Sequence, residues 1–429
     1  MKAPVELLRV SSKEDVEAFV KLFRSELNID KYIEIVKPIV YDVKKRGDKA
    51  LIDYAKKLDK VELDRENIYI SKEKLEKARE SLRSENKRLL EALEGLAERA
   101  KAVEEPLSAL SRSRWTIAVD SSVIVIEELK PIDSVACYVP GAVAPYISTA
   151  IMCGVAARAA GVKKLVAFAP PASIRKSLLA SLAVAGFDGL YALGGAYGVA
   201  ALAYGTESVE KVSKIAGPGG PYYTAAKILV SRDVGIDLLA GPTELVVYVD
   251  KKGVEREIAL HLLAQAEHGE SSAVALITTD AEIAQKVADA YKEFLRRSSG
   301  KKLSTPKLAI AKNKELAFEL INLIAPEHLE VCSDSLELAD AFENYGVLVE
   351  GCVSTAINDY YSGANHILPT SGWARWRGGL SALDFLALRR RVKVLDNGGA
   401  LKRIAQAVEP LAKEEGFELH LFSIVGELN

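Results

Sequence analysis

Apolar and polar positions fall into two textures along this chain. Up to about residue 107, apolar residues recur every three or four positions among many charges, the period of helices resting on a core. Helices are predicted over 16–27, 32–45 and 72–103, the first opened by Ser12 with an acid, Asp15, three positions on. Residues 112–128 alternate instead, as a strand or hairpin does. From about 132, short apolar runs are separated by helical patterns. Runs at 134–139, 164–169, 190–193 and 212–215 precede predicted helices at 148–160, 173–185, 196–203 and 222–231. A second series has runs at 244–249, 273–277 and 307–310, helices at 254–268, 281–296 and 313–324, and a last run at 346–350. Strand-like runs, each followed by a helix, predict parallel sheets covered on both faces. After about 380 the pattern reads as helical again.

The fold class expected is therefore α/β: two incomplete Rossmann-like parallel-sheet domains with a helical N-terminal arm and a helical C-terminal tail. The boundaries drawn are 1–110 for the N-terminal region, 111–235 and 236–380 for the two sheet domains, and 381–429 for the tail. Little of that tail can form a core alone, so it is expected to pack on another surface. Glycines stand at several strand-to-helix turns, at Gly141, Gly194 with Gly195, and Gly217, Gly219 and Gly220. Backbone amides at such turns can face a phosphate. No complete G-x-G-x-x-G is present, so the pattern alone names no cofactor.

Composition changes the picture little. With 429 residues, 49% of them hydrophobic, and a net charge of −2, the chain is ordinary for a soluble protein and offers no broad nucleic-acid surface. The cluster Arg389, Arg390, Arg391 reads as a solvated helix face. The uncharged run 189–206 suits a buried strand, turn and helix better than a membrane span. The N-terminus shows no apolar signal core. Cys137, Cys153, Cys332 and Cys352 have no C-x-x-C pairing and no short spacing, so they are expected to be reduced and mostly buried, in a cytoplasmic protein.

The chemistry gathers around five histidines. Gln265 and His268 lie three apart on the last turn before Gly269, a helix stop, and so share one face. His328 follows Pro326 and Glu327, and both side chains are acid/base candidates. His366 sits in an irregular loop with Gly363, Asn365 and Pro369, and Asp359 upstream can supply a carboxylate. His420 follows Glu415 near the C-terminus. His261 shares a helical face with His268 and reads as structural or exposed. Gln265, His268, Asp359 and His420 make a mixed N/O set that suits zinc, although spacing this dispersed does not establish a metal. There is no G-x-S-x-G elbow and no Walker A lysine.

These motifs stand in the order of a known family. Cys-Tyr-Val-Pro-Gly at 137–141, the stretches 200–207, 217–219 and 239–242, and Leu-Leu-Ala-Gln-Ala-Glu-His-Gly at 262–269 resemble histidinol dehydrogenase. Pro-Glu-His-Leu at 326–329, Asp359 with Tyr360, Gly363, 365–370 and 378–381 extend the resemblance over most of the chain. It implies a zinc enzyme, one Zn2+ per subunit, that oxidises L-histidinol through L-histidinal to L-histidine in two NAD-dependent steps. It also implies a homodimer whose C-terminal tail reaches the neighbouring subunit's site. By motif match, Gln265, His268, Asp359 and His420 resemble the zinc ligands, and Glu327 and His328 the acid/base pair. His366, Glu415 and Thr243 resemble substrate-binding positions, and Tyr138 a dinucleotide contact.

The chain departs from the family at identifiable places. Tyr197 stands where glutamine is common, Gly220 where asparagine is common, and Thr243 where serine is usual. Ala142 replaces the second of two glycines, Ile147 a proline, and His261 an aspartate. NAD is therefore expected to be held partly differently, through the Gly220 amide and by stacking on Tyr197. Two other readings stay open: a paralogous zinc- and NAD-dependent dehydrogenase of another small polar alcohol, and a metal-binding protein without redox activity.

Overall fold

The computed structural model describes residues 5–24, 29–141, 146–297, 303–335, 338–395 and 399–425. Two compact units make up the chain: Met1–Leu107 with Ile132–Phe385, and Ser108–Pro131 with Leu386–Asn429. Strands are numbered along the chain. The first are β1 (Glu6–Val10), β2 (Tyr69–Ser71), β3 (Arg114–Ala118), β4 (Val123–Pro131) and β5 (Ser134–Tyr138). Next come β6 (Lys164–Ala169), β7 (Gly189–Ala192), β8 (Lys214–Ala216), β9 (Gly235–Ile236) and β10 (Glu244–Val249). The last are β11 (Ala273–Thr278), β12 (Lys307–Ala311), β13 (His328–Cys332), β14 (Val347–Glu350) and β15 (Leu386–Val394).

The first unit holds two six-stranded sheets, ordered β2-β7-β6-β5-β8-β9 and β1-β12-β11-β10-β13-β14. Every pairing is parallel except β2 with β7. In each sheet the strand order turns back at one place, between β5 and β8 and between β10 and β13. The central strands are buried on both faces, as their apolar runs require. On β10, Leu245, Val247 and Val249 pack with helices Glu255–Ala266 and Ala281–Arg297. Val246 and Tyr248 pack with helices Lys13–Arg24 and Lys314–Ile324 on the other face. The uncharged run 189–206 is β7 followed by the buried helix Gly195–Tyr204. Among the described residues no helix is long and apolar enough to cross a membrane.

Four expectations are corrected. The N-terminal region is not a helical arm alone, because β1 pairs with β12 and β2 with β7. Both edge strands are short, and their partners are too distant in sequence to leave a local pattern. The helix predicted over 72–103 is two helices, Lys72–Glu85 and Lys87–Ser108. Asn86 leaves the helical conformation, and its Oδ1 caps the second by accepting from Leu89 N at 3.2 Å. The end of the helix predicted over 16–27 lies outside the described residues.

The third correction concerns the tail, which is not helical throughout. In the second unit β15 pairs antiparallel with β4, and β4 with β3. Arg390 and Arg391 lie on β15 and pair with Glu127 and Glu128 on β4, so the arginine cluster is a strand held by cross-strand charge rather than a helix face. Helices Ala400–Glu414 and Glu418–Val425 follow. Finally, the cysteines are paired, Cys137 with Cys153 and Cys332 with Cys352. Each bridge joins a central strand to a segment folded back beside it, with Cα atoms 6.5 and 4.3 Å apart. Separations of 16 and 20 residues hid both pairings. Pairing also removes the argument from reduced thiols for a cytoplasmic location.

Candidate active site

The site is built where β10 and β13 begin. Leu245 is in register with His328, so Glu244 and Glu327 enter the sheet side by side. Glu327 Oε2 accepts hydrogen bonds from Thr243 Oγ1 and from Glu244 N, each 2.7 Å. The arrangement is reciprocal, since Glu244 Oε2 accepts from Glu327 N at 3.3 Å and its Oε1 from Ser371 N at 2.8 Å. Burial lifts the Glu244 carboxyl to about 7, against the Ser371 amide.

His328 is buried at the head of β13. Its Nδ1 lies 3.0 Å from Glu244 O, an acceptor, so Nδ1 carries a proton. Nε2 is buried with no hydrogen-bond partner among the described residues, and Asp359 Oδ1 is 3.7 Å away. Burial opposes the ring's charge, but Glu327 and Asp359 prevail and raise its pKa well above the ordinary value.

Asp359 lies in the tight turn Asn358–Ser362, which ends at Gly363 with φ +83°. A Cβ at Gly363 would come within 2.5 Å of the Arg99 backbone, so glycine lets the turn press onto helix Lys87–Ser108. Burial would raise the Asp359 carboxyl, yet the neighbouring His328 and the charges of His366 and His268 bring it below the usual carboxylate range. His366 Nδ1 lies 2.9 Å from Asp359 O, and Nε2 3.4 Å from Thr149 Oγ1. Burial lowers the pKa of His366.

Gln265 is buried near the end of helix Glu255–Ala266, and His268 is exposed just beyond it. Gln265 Nε2 donates to Thr243 Oγ1, which donates to Glu327. Gln265, Thr243 and Glu327 thus form one hydrogen-bonded chain. Among the described residues no three His, Cys, Asp or Glu side chains are grouped closely enough to hold a metal. The donors nevertheless have the right chemistry. Asp359 feels the His268 charge, Gln265 carries an amide oxygen, and His328 Nε2 lies 3.7 Å from Asp359 Oδ1. The carboxylate of Asp359, the imidazole of His268 and the amide oxygen of Gln265 are donor types that zinc accepts. Glu415 and His420 belong to the second unit, both exposed, with the His420 ring 5.3 Å from that of Phe417.

Two dinucleotide candidates, Tyr138 and Gly220, lie at or just beyond the carboxyl ends of β5 and β8, where the first sheet's order turns back. Gly217 has φ +109°, and a Cβ there would come within 2.6 Å of Tyr138 O. Tyr138 stacks on Tyr223 with ring centroids 4.2 Å apart. Gly220 is the exposed N-cap of helix Pro221–Val230, with φ −67° and open space where a Cβ would be. A backbone amide at a helix N-terminus can meet a phosphate. Tyr197 is not placed to stack on a ligand. It is 1% exposed within the core, and its hydroxyl donates to Asp59. Ala142 lies outside the described residues.

Three features were not foreseen. Glu244 opens β10 against both acid/base residues; its one sequence signal is a glutamate heading an otherwise apolar strand. Lys227 and Asp237 form a buried ion pair that also binds Gly217, through Gly217 O at 3.1 Å and Gly217 N at 2.7 Å. His261 Nδ1 lies 2.9 Å from Glu330 Oε2, so the histidine in the family's aspartate position is a half-buried partner of a buried glutamate.

A sequence model of histidinol dehydrogenase matches residues 22–426. The chain belongs to the histidinol dehydrogenase family. The histidinol dehydrogenase of Archaeoglobus fulgidus is 38% identical over 421 residues, covering 95% of this chain and 98% of the relative. That of Methanopyrus kandleri is 37% identical over 430 residues, covering 96% and 97%. The crystal structure of the Elizabethkingia anophelis histidinol dehydrogenase superposes with a TM-score of 0.85 at 29% identity, covering 98% of this chain and 97% of that one.

Proposed function

We propose that this protein is a zinc-dependent histidinol dehydrogenase that converts L-histidinol through L-histidinal to L-histidine with two NAD. The observation that carries the reading is the pair at the head of β13. Glu327 is held by Thr243 and Glu244, beside a His328 whose buried Nε2 faces Asp359 without a partner. Bound zinc would supply a Lewis acid for the imidazole and amino nitrogens of the substrate, held by Gln265, His268, Asp359 and His420. NAD would supply the hydride acceptor, against Tyr138 and the Gly220 turn.

The chain's own groups then handle protons. As the site stands, His328 keeps its proton because Glu327 and Asp359 flank it. Freed of that proton, the Nε2 lone pair would take the substrate's hydroxyl proton, with Nδ1 still bonded to Glu244 O. Glu327 takes a proton from water as it adds to the aldehyde, and the resulting hydrate is oxidised in the second step. His366 and Glu415 meet the polar ends of the substrate. The roles of Glu415 and His420 rest on motif match, and with them the homodimer proposed here. Leu411, Phe417 and Leu419 of the second unit are exposed, which supports a partner surface there.

Mixing zinc-loaded protein, NAD and L-histidinol should release two NADH per histidinol, followed optically. Turnover of other small alcohols but not histidinol would point to a paralogue, and no turnover of any alcohol would defeat the reading. A second expectation concerns the cofactor turn. Gly220→Asn fits without backbone strain and restores the family's amide, so it should tighten NAD about 10-fold, one added hydrogen bond, in a calorimetric titration. Unchanged or weaker binding would show that NAD does not lie against this turn.

A further inference from the structure

We propose that Glu244 is a positioning residue of the reaction centre, aiming the Glu327 carboxylate and the His328 ring from the neighbouring strand. The inference rests on the reading of Glu327 and His328 as the acid/base pair. Four hydrogen bonds converge on this one residue. Its N–H donates to Glu327 Oε2 at 2.7 Å, and its C=O accepts from His328 Nδ1 at 3.0 Å. Its Oε2 accepts from Glu327 N at 3.3 Å, and its Oε1 from Ser371 N at 2.8 Å. It thus touches both residues of the pair and ties them to the loop that follows Thr370.

A carboxyl here is costly. Glu244 is 5% exposed and heads a strand whose other five residues, Leu245–Val249, are apolar and fully buried. An apolar residue would avoid the desolvation of a carboxyl group. What it could not do is accept the amides of Glu327 and Ser371 together. The charged groups facing Glu244 are Glu327 just before β13, His328 beside it, and Arg24 on helix Lys13–Arg24, which has Arg375 as its own neighbour. With burial as the main cause and Glu327 adding to it, the carboxyl titrates at about 7 and senses whether Glu327 is charged. Glu244 is buried, and its bonds go to Glu327, His328 and Ser371, so it acts through the first two.

The test is a double-mutant cycle on oxidation of the aldehyde. Glu244→Gln should lower kcat about 10- to 100-fold, as a misaimed base does, while KM stays within about two-fold. Adding it to Glu327→Gln should cost less than about two-fold further, because the residue it positions is already disabled. Independent, multiplying losses, or an unchanged kcat, would overturn the proposal. Isotope-edited infrared spectroscopy of the wild type and of Glu327→Gln covers the case in which Glu244→Gln does not fold. A protonated carboxyl titrating near neutral pH is expected in the wild type. It should move to lower pH in Glu327→Gln, where the neighbouring like charge is gone. A band that is absent, or that does not move, overturns the proposal. Failure of the wild type to oxidise histidinol would instead remove the functional reading, and the infrared titration would still decide whether Glu244 and Glu327 are coupled.

Discussion

Glu327→Gln should stop the aldehyde step almost completely, slowing histidine formation about 10²- to 10⁴-fold, the range for loss of a general base. The amide has the same shape as the carboxylate. Its oxygen can replace Oε2 as acceptor for Thr243 Oγ1 and Glu244 N, so the strand starts should keep their geometry. What is lost is the ability to take a proton from water. The first oxidation, which relies on His328, should fall far less. Quench-flow measurement of histidinal and histidine separates the two steps. Equal slowing of both would remove Glu327 from the water-activating role, and undiminished histidine formation would remove it from the chemistry.

His268→Ala should weaken zinc about 100-fold or more, a loss at least as large as that from an outer-sphere partner. His268 is exposed beyond the end of its helix, so removing the ring leaves no cavity and should not lower the thermal midpoint of the metal-free protein. Competition with a chelator of known affinity, with zinc counted by elemental analysis, measures the effect. Unchanged zinc affinity would remove His268 from the ligand set. Loss of affinity together with a lower metal-free midpoint would show that the ring is structural. Asp359 offers a less clean test, because its carboxylate also faces His328 and its carbonyl holds His366.

How much could be read without the fold follows from where each signal lies. The two βα series were legible because their strands are buried on both faces, which makes them apolar throughout, and because glycine stops such as Gly269 are local. Gln265 and His268 could be paired because one helical turn brings them together. The edges were not legible. β1 meets β12 across 300 residues, from Glu6 to Lys307, and β15 is an exposed strand whose alternation is broken by three arginines. The disulfides escaped for the same reason, since spacing alone cannot show that a strand and the segment beside it face each other.

The sequence by itself determined the α/β class, the repeated parallel series and the residue types of the site, because burial and helical period leave local traces. Only the tertiary structure decided which edge of each sheet is used. Tyr138 and Gly217 lie at the carboxyl ends of the first sheet, where ligands of open α/β sheets usually sit. Glu244, Glu327 and His328 lie at the amino ends of the second. The same decision turned Tyr197 from a stacking surface into core and made Glu244 the support of both acid/base residues. Strand register and the approach of distant loops are properties of pairings, which no local window of residues contains.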